Sequence, residues 1–488
     1  MAAVRQAAAR PMATAVSNPA SRRAGSRITF SQGLVAVVVL ALVVRLGVIA
    51  ATPQFVPATD AADYDRHAVS IAVHGSFPST ELAPAGGPTA FRPPLFPVVL
   101  AGVYKVVGVT SESLRWEAGR AAEAILGALA VALICVIALR LWGSAIALLS
   151  GAIAAVFPSL LLVGSSLMSE PLYICLVLGA VLAALVHRES AHRWRWAVVT
   201  GVLIGLAGLT RSNGLGLALP ICVLVWTERP RWSWRALRTP LVVVTAAAVT
   251  LVPWTVRNAG TLHAFVPIST QSGYALAGTY NDYVRRAPKY PGLWVPPVGP
   301  ILALSAGRRL NEAQLSGRLR QQSLDYIRAR PGYLLQVTLV NTEALLNLRG
   351  SGLERYLAPF ESYPRGLAEL SVYGWWLLGA LALAGAATRA ARRPPAAFWA
   401  CPVIPGLASI FFLGATRYRA PADPFVIMLA AVGLVAAWRR IQTRVAAGRR
   451  RSRSASFEGS RWLGALALAR GDQAQRRRSR RKGDSTRT

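Results

Sequence analysis

Four carboxylates and five arginines stand out because they fall beside long apolar runs, where charge is costly unless it is paired or functional. Asp60, Asp63 and Asp65 sit in "ATDAADYDRHA", residues 58–68, just after the first apolar run, and Glu170 opens a later one. Arg92 begins "RPPLFP", Arg211 separates two short apolar pieces, Arg257 and Asn258 close "PWTVRN", and Arg417 and Arg419 flank Tyr418 in "RYRAPADP". An ionised aspartate can take the proton of an attacking hydroxyl, and clustered guanidinium groups suit a phosphate-bearing ligand. Plainer roles compete. "YDRHAVSIAVHG" reads as one helix, and Asp60 or Asp63 could cap its start. Glu170 between Ser169 and Pro171 is itself a good helix opening, Asp65 reads as a solvated loop residue, and each arginine could simply meet a nearby acid or a lipid headgroup.

The elements that must position these side chains are apolar helices. Of 488 residues, 53% are hydrophobic and 15% charged, and the apolar residues gather in runs broken by arginine-rich segments, the pattern of an all-α polytopic membrane protein. Basic residues at 5, 10, 22, 23 and 27 precede the first run, which predicts a cytoplasmic N-terminal segment over 1–29 and an outward first span over about 30–50. Alternating the basic segments from there gives spans near 118–140, 143–163, 170–187, 197–209, 213–227, 240–254, 368–387, 397–415 and 421–438. With the first, that makes about ten, within a membrane domain over 30–440. Both termini are then cytoplasmic, with a first outer loop over 51–117 and a long outer loop over 257–366. The short pieces 94–108 and 332–348 read as surface helices on the outer face. The tail, 441–488, belongs to a segment that from Arg439 onward holds 16 Arg and Lys against Glu458, Asp472 and Asp484, which suits a cytoplasmic, lipid-facing and partly disordered stretch; "WLGALALA" in it is too short to cross.

This topology collects the unusual polar residues on one face, the outer one. Arg211, Arg257, Arg417 and Arg419 stand where the positive-inside rule expects few cations, so they call for another reason, and a phosphate ligand in the outer leaflet supplies one.

Taken in order, Asp60 with Tyr64 four residues on, "AFRPPLFP", the acid after "SSLMS", "GLAGLTRSNG", "PWTVRN" with "FVPISTQSGYALAGTYN", and "RYRAPADP" resemble the GT-C glycosyltransferases. The likeness is to the branch related to protein O-mannosyltransferases and lipid A aminoarabinose transferases, and it covers roughly 30–440. The resemblance implies a cell-membrane enzyme that moves a sugar from a polyprenyl-phosphate carrier to an acceptor hydroxyl on the outer side by inverting displacement. It implies Asp60 as general base and Glu170 as a second active-site acid, with Asp63 and Tyr64 nearby. Arg92 would shape the first loop, and Arg211, Arg257, Arg417 and Arg419 would face the donor phosphate with Asn258 beside them. Tyr274, Tyr280, Asn281 and Trp294 of the long loop would meet sugar or acceptor. Ala61 stands where many relatives carry Glu after the catalytic Asp, so Asp63 is a candidate substitute. Some relatives use a divalent metal and others do not, which leaves a metal open and no other cofactor required.

Other classes fit less well. The net charge of +33 is explained by cytoplasmic loops and tails, so no nucleic-acid partner is expected. Cys135, Cys175, Cys222 and Cys401 lie unpaired in apolar runs; the five histidines lack metal spacing, and no phosphate loop of a nucleotide-driven pump is present. A transporter or flippase should show related halves and mid-span acids, and neither is read here. A non-catalytic cell-envelope assembly protein on the same scaffold would share every motif.

Overall fold

The computed structural model describes residues 29–483, and side chains at 405, 448–469 and 476–483 lie outside that description. The expected N-terminal cytoplasmic segment and the placing of 462–469 on a bilayer fall outside the described residues. In chain order α1 (Phe30–Ala50), α2 (Thr59–His74), α3 (Leu95–Val107), α4 (Glu112–Trp142), α5 (Ser144–Val156), α6 (Pro158–Val163), α7 (Glu170–Glu189), α8 (Arg193–Thr210), α9 (Ala218–Val225) and α10 (Trp234–Leu262) form the first part. The long second region folds as α11 (Gln271–Ala277), α12 (Asp282–Arg285), α13 (Val298–Ser305), α14 (Glu312–Ala329), α15 (Pro331–Leu345) and α16 (Ser351–Leu357). Helices α17 (Arg365–Ala386), α18 (Ala396–Leu407), α19 (Thr416–Arg419) and α20 (Asp423–Gly483) complete the fold.

Helix is the answer such a composition allows, because an apolar segment in lipid must satisfy its own backbone. Among the described residues six helices are long and apolar enough to cross a membrane: Phe30–Ala50, Glu112–Trp142, Glu170–Glu189, Trp234–Leu262, Arg365–Ala386 and Asp423–Ala447. The sequence reading expected about ten. Of the four expected spans outside these six, α8 is one unbroken helix of 18 residues whose start carries Arg193 and Arg195, and the other three are segments that the chain breaks. Pro158 starts α6 and interrupts the run at 143–163; a 3-10 turn over Ser212–Leu217, with Gly214 and Gly216, precedes α9; and α18 gives way to another 3-10 turn at Ser409–Phe411. The surface helices expected at 94–108 and 332–348 form as α3 and α15, and the long region is folded rather than loose. The tail differs too: α20 runs on through 439–483 as one continuous helix.

Glycine sets the tightest helix contacts. A Cβ on Gly385 of α17 would stand 1.9 Å from the Leu429 carbonyl of α20, and one on Gly201 of α8 would stand 2.3 Å from the Val243 carbonyl of α10. Small residues let helix backbones approach where lipid offers no hydrophobic drive for association. Gly385→Ala should therefore destabilise the purified protein by about 1–3 kcal/mol, since a backbone carbonyl cannot move aside as a side chain can. Gly379→Ala, on the same helix with open space around it, should leave the thermal midpoint unchanged or slightly raised. Equal midpoints for the two variants would refute the contact.

Charges inside the helical layer are handled locally. Arg45 of α1 is buried without a carboxylate partner and donates to the carbonyls of Ala41 (3.0 Å) and Ala155 (3.3 Å). Glu123 lies buried in α4, toward the start of the span expected at 118–140 and not at its middle, and its Oε2 accepts the N–H groups of Ser166 (3.1 Å) and Leu167 (2.9 Å). Arg120, one turn earlier, donates from Nε to the Ser165 carbonyl at 2.7 Å. The two side chains hold both edges of the loop that leads into Glu170.

Candidate active site

Helix α2 carries the first acids, and none of them caps it. The N-cap residue is Ala58, with no side-chain cap. Instead Arg92, from the segment between α2 and α3, donates from Nη2 to Asp60 Oδ1 at 2.6 Å and from Nε to Asp63 Oδ2 at 2.5 Å. Arg417 of α19 reaches the other oxygen of Asp60, Oδ2, at 2.7 Å through Nη2 and holds Glu361 Oε2 at 2.9 Å through Nη1. Arg211, just past α8, pairs through Nη1 with Glu170 and donates to Ser169 Oγ at 3.2 Å. Tyr64 donates its hydroxyl to the same Ser169 Oγ at 3.2 Å. The ring of Tyr418 lies under both Arg211 and Arg417, at 5.0 and 4.8 Å.

These groups border a cavity of about 370 Å³. Asp60, Tyr64, Arg92, Arg211 and Arg417 line it with Phe91, Ser212, Asn213, Gln271, Tyr274, Trp294 and Tyr418. Among the described residues the buried hydroxyl of Tyr274 meets no hydrogen-bond partner. Burial alone would raise the Asp60 carboxyl, but Arg417 and Arg92 outweigh it and hold it well below the usual carboxylate range. Asp63 behaves likewise, with Arg92 as the main opposing charge. Glu361 goes the other way: burial pushes its carboxyl up to about 7, against the pull of Arg417.

The second long region walls the cavity because Glu312, at the start of α14, ties it to the first. Glu312 accepts the Thr89 hydroxyl at 2.6 Å, the Ala90 N–H at 2.9 Å and the Thr270 hydroxyl at 2.7 Å. On the opposite side, residues 357–363 lie over the start of α2, with Ser362 Oγ accepting the Ala58 N–H at 2.7 Å and the Phe360 carbonyl accepting the Thr59 hydroxyl.

Not every expected residue reaches the cavity. Glu170 is fully buried behind Arg211, and Asp63 stands behind Arg92. Arg257 donates to the Thr89 carbonyl (2.9 Å) and lies over Trp254 and Phe77, while Asn258 donates to the Val266 carbonyl (3.0 Å); both brace the C-terminal end of α10. Tyr280 donates to the Phe411 carbonyl, Asn281 caps α12 by accepting the Val284 N–H, and Arg419 pairs with Asp423 at 3.1 Å. Asp65 is a correction: far from solvated, it is buried and receives Arg115 in a two-pronged pair (3.0 and 2.9 Å) with the Tyr104 hydroxyl at 2.7 Å, which binds α2 to α3 and α4. Glu361, Tyr418 and Ser169 were not singled out from sequence. Tyr418 stood inside a quoted motif, whereas Glu361 in "PFESYP" has no local signature.

Among the described residues no group of three or more His, Cys, Asp and Glu converges as a metal site, and both Asp60 oxygens are committed to guanidinium groups. As folded, the donor set does not fit the divalent metal that the sequence left open.

Comparison with solved structures decides the fold. The apo oligosaccharyltransferase of Archaeoglobus fulgidus superposes with a TM-score of 0.54 at 13% identity, covering 87% of this chain and 52% of its own. The fold is that of the GT-C glycosyltransferases. ArnT from Cupriavidus metallidurans bound to undecaprenyl phosphate overlaps this GT-C fold more loosely, with a TM-score of 0.39 at 18% identity over 82% of this chain and 76% of its own. Residues 91–256, which hold Arg92, Glu170 and Arg211, match the family model described as dolichyl-phosphate-mannose-protein mannosyltransferase. No curated protein sequence matches the chain. The chain spans about half the length of the oligosaccharyltransferase that it matches.

Proposed function

We propose that the protein is a membrane glycosyltransferase that moves a sugar from a polyprenyl-phosphate donor to an acceptor hydroxyl on the extracytoplasmic side, by inverting displacement. The observation that carries this reading is the meeting of Asp60, Arg92, Arg211 and Arg417, from segments far apart in sequence, around one cavity inside a GT-C fold. The family model over 91–256 supports the donor class.

A lipid-linked phosphate is already a good leaving group, so the site has to supply cationic stabilisation of the departing oxygens and a base for the incoming hydroxyl. Arg211 and Arg417, both packed against the Tyr418 ring, would meet the phosphate. Glu170 serves by holding Arg211. Asp60 is the base, but two arginines hold its carboxyl low, and such a carboxylate is a weak base. It gains basicity once the donor phosphate draws Arg417 toward itself. Tyr274 and Trp294 line the far wall, where a sugar ring would lie. The acid pair that anchors Arg92, Asp60 and Asp63, keeps the first loop folded against this wall.

The test is transfer by the purified full chain in lipid nanodiscs. Polyprenyl-phosphate donors carrying different labelled sugars are offered with envelope glycan, lipid and protein acceptors. The expected result is acceptor-dependent release of polyprenyl phosphate with an inverted anomeric linkage. Retention of anomeric configuration would refute the direct displacement.

A further inference from the structure

The segment between α16 and α17 does more than cover α2. It places Glu361 against Arg417, whose other arm holds Asp60, so one guanidinium bridges two carboxylates from opposite ends of the chain. Arg417 is a cavity-lining cation whose charge two acids already share. It lines the cavity, its Nε is buried without an acceptor, and its contact with Glu361 is an ion pair lacking hydrogen-bond alignment. Around the cavity three guanidinium groups (Arg92, Arg211, Arg417) face four carboxylates (Asp60, Asp63, Glu170, Glu361). A phosphate entering this set adds negative charge to a site that already carries an excess of it.

We infer that Glu361 is the anion a phosphate group displaces from Arg417, so that binding of a polyprenyl phosphate takes up one proton at the Glu361 carboxyl. This rests on the donor reading above and assigns the exchange to a named residue. The groups that face Glu361 are Arg417 and Tyr418 from α19, Asp60 from α2, Glu170 from α7, Glu354 from α16 and Tyr363 in its own segment. Only Arg417 among them favours the ionised form. Burial, Asp60, Glu170 and Glu354 all favour the neutral one, so when phosphate takes a share of Arg417 the balance tips to the acid. The exchange balances simply: Arg417 stays protonated, the phosphate enters as an anion, and a solvent proton converts the Glu361 carboxylate to carboxylic acid. Release of the phosphate product then requires that proton to leave.

The sign is diagnostic. A phosphate monoester gains charge as pH rises through its second ionisation near about 6, which by itself strengthens binding to guanidinium groups. Proton uptake at Glu361 predicts the reverse trend. Undecaprenyl phosphate binding to the full chain in nanodiscs should weaken roughly tenfold from about pH 6 to about pH 8.5. In Glu361→Gln the weakening should vanish, with affinity at high pH matching the wild-type protein at low pH. Calorimetry of the wild-type protein in buffers of different ionisation heat should report about half a proton taken up near pH 7 and close to one near pH 8.5, a measurement that needs no variant. Binding that stays level or strengthens with pH, with no proton uptake, overturns the inference and leaves the donor reading standing. Failure of undecaprenyl phosphate to bind at any pH overturns both.

Discussion

Asp60→Asn abolishes sugar transfer, with a loss of roughly 10²–10⁴-fold, the range that a positioned general base contributes. The substitution keeps the shape of the side chain and one acceptor for Arg92, while it removes the charge that both arginines surround. Because Asp60 is ionised over the whole physiological range, the loss should be the same at every pH where the protein is folded. Donor binding should survive, and tighten slightly, since Arg417 is then less occupied. The measurement is single-turnover transfer beside undecaprenyl phosphate binding in the same preparation. Transfer at the wild-type rate would remove Asp60 from the chemistry.

Arg417→Ala has a larger reach because it touches both the reaction and the fold. Arg417 is buried and joins two acids, so its removal leaves Asp60 with Arg92 alone and Glu361 with no cation. Breaking a buried pair from one side costs about 3–5 kcal/mol, part of which is relieved when Glu361 becomes neutral. The rate loss from a missing phosphate-stabilising donor is about 10²–10³-fold on top of that. Arg417→Lys separates the two effects. An ammonium keeps the charge but cannot span Asp60, Glu361 and a phosphate with one planar fork, so thermal stability should recover well while transfer does not. Full recovery of transfer by lysine would show that charge alone, not the bridging geometry, is what the site uses.

The helical layer was legible because long apolar runs leave few alternatives. Of the residues that line the cavity, Arg211 and Arg417 stood out as cations where few are expected, while Asp60 and Arg92 were picked out by the motifs of the resemblance. Span counting was harder, because hydropathy averages over Pro158 and the Gly214–Gly216 turn, which break helices without making them polar. Arg257 and Asn258 show the converse limit. They look like site residues by position, yet they complete hydrogen bonds at the C-terminal end of α10, and only tertiary structure tells a bracing cation from one that faces a ligand. Asp65 looked like a solvated loop residue because its partner Arg115 is fifty positions away. Glu361 was invisible for a like reason, since its meaning comes wholly from Arg417.

The meeting of Asp60 with Arg417 also has a consequence for biogenesis. Asp60 emerges with α2 and Arg417 with α19, so at about 5–20 residues per second synthesis separates them by tens of seconds. During that interval the cavity lacks its bridging cation, and the nascent chain holds Asp60 and Glu361 without the group that joins them. The proposed site is therefore complete only once α19 has followed the helices before it, so a chain arrested earlier would present the acids without their bridge.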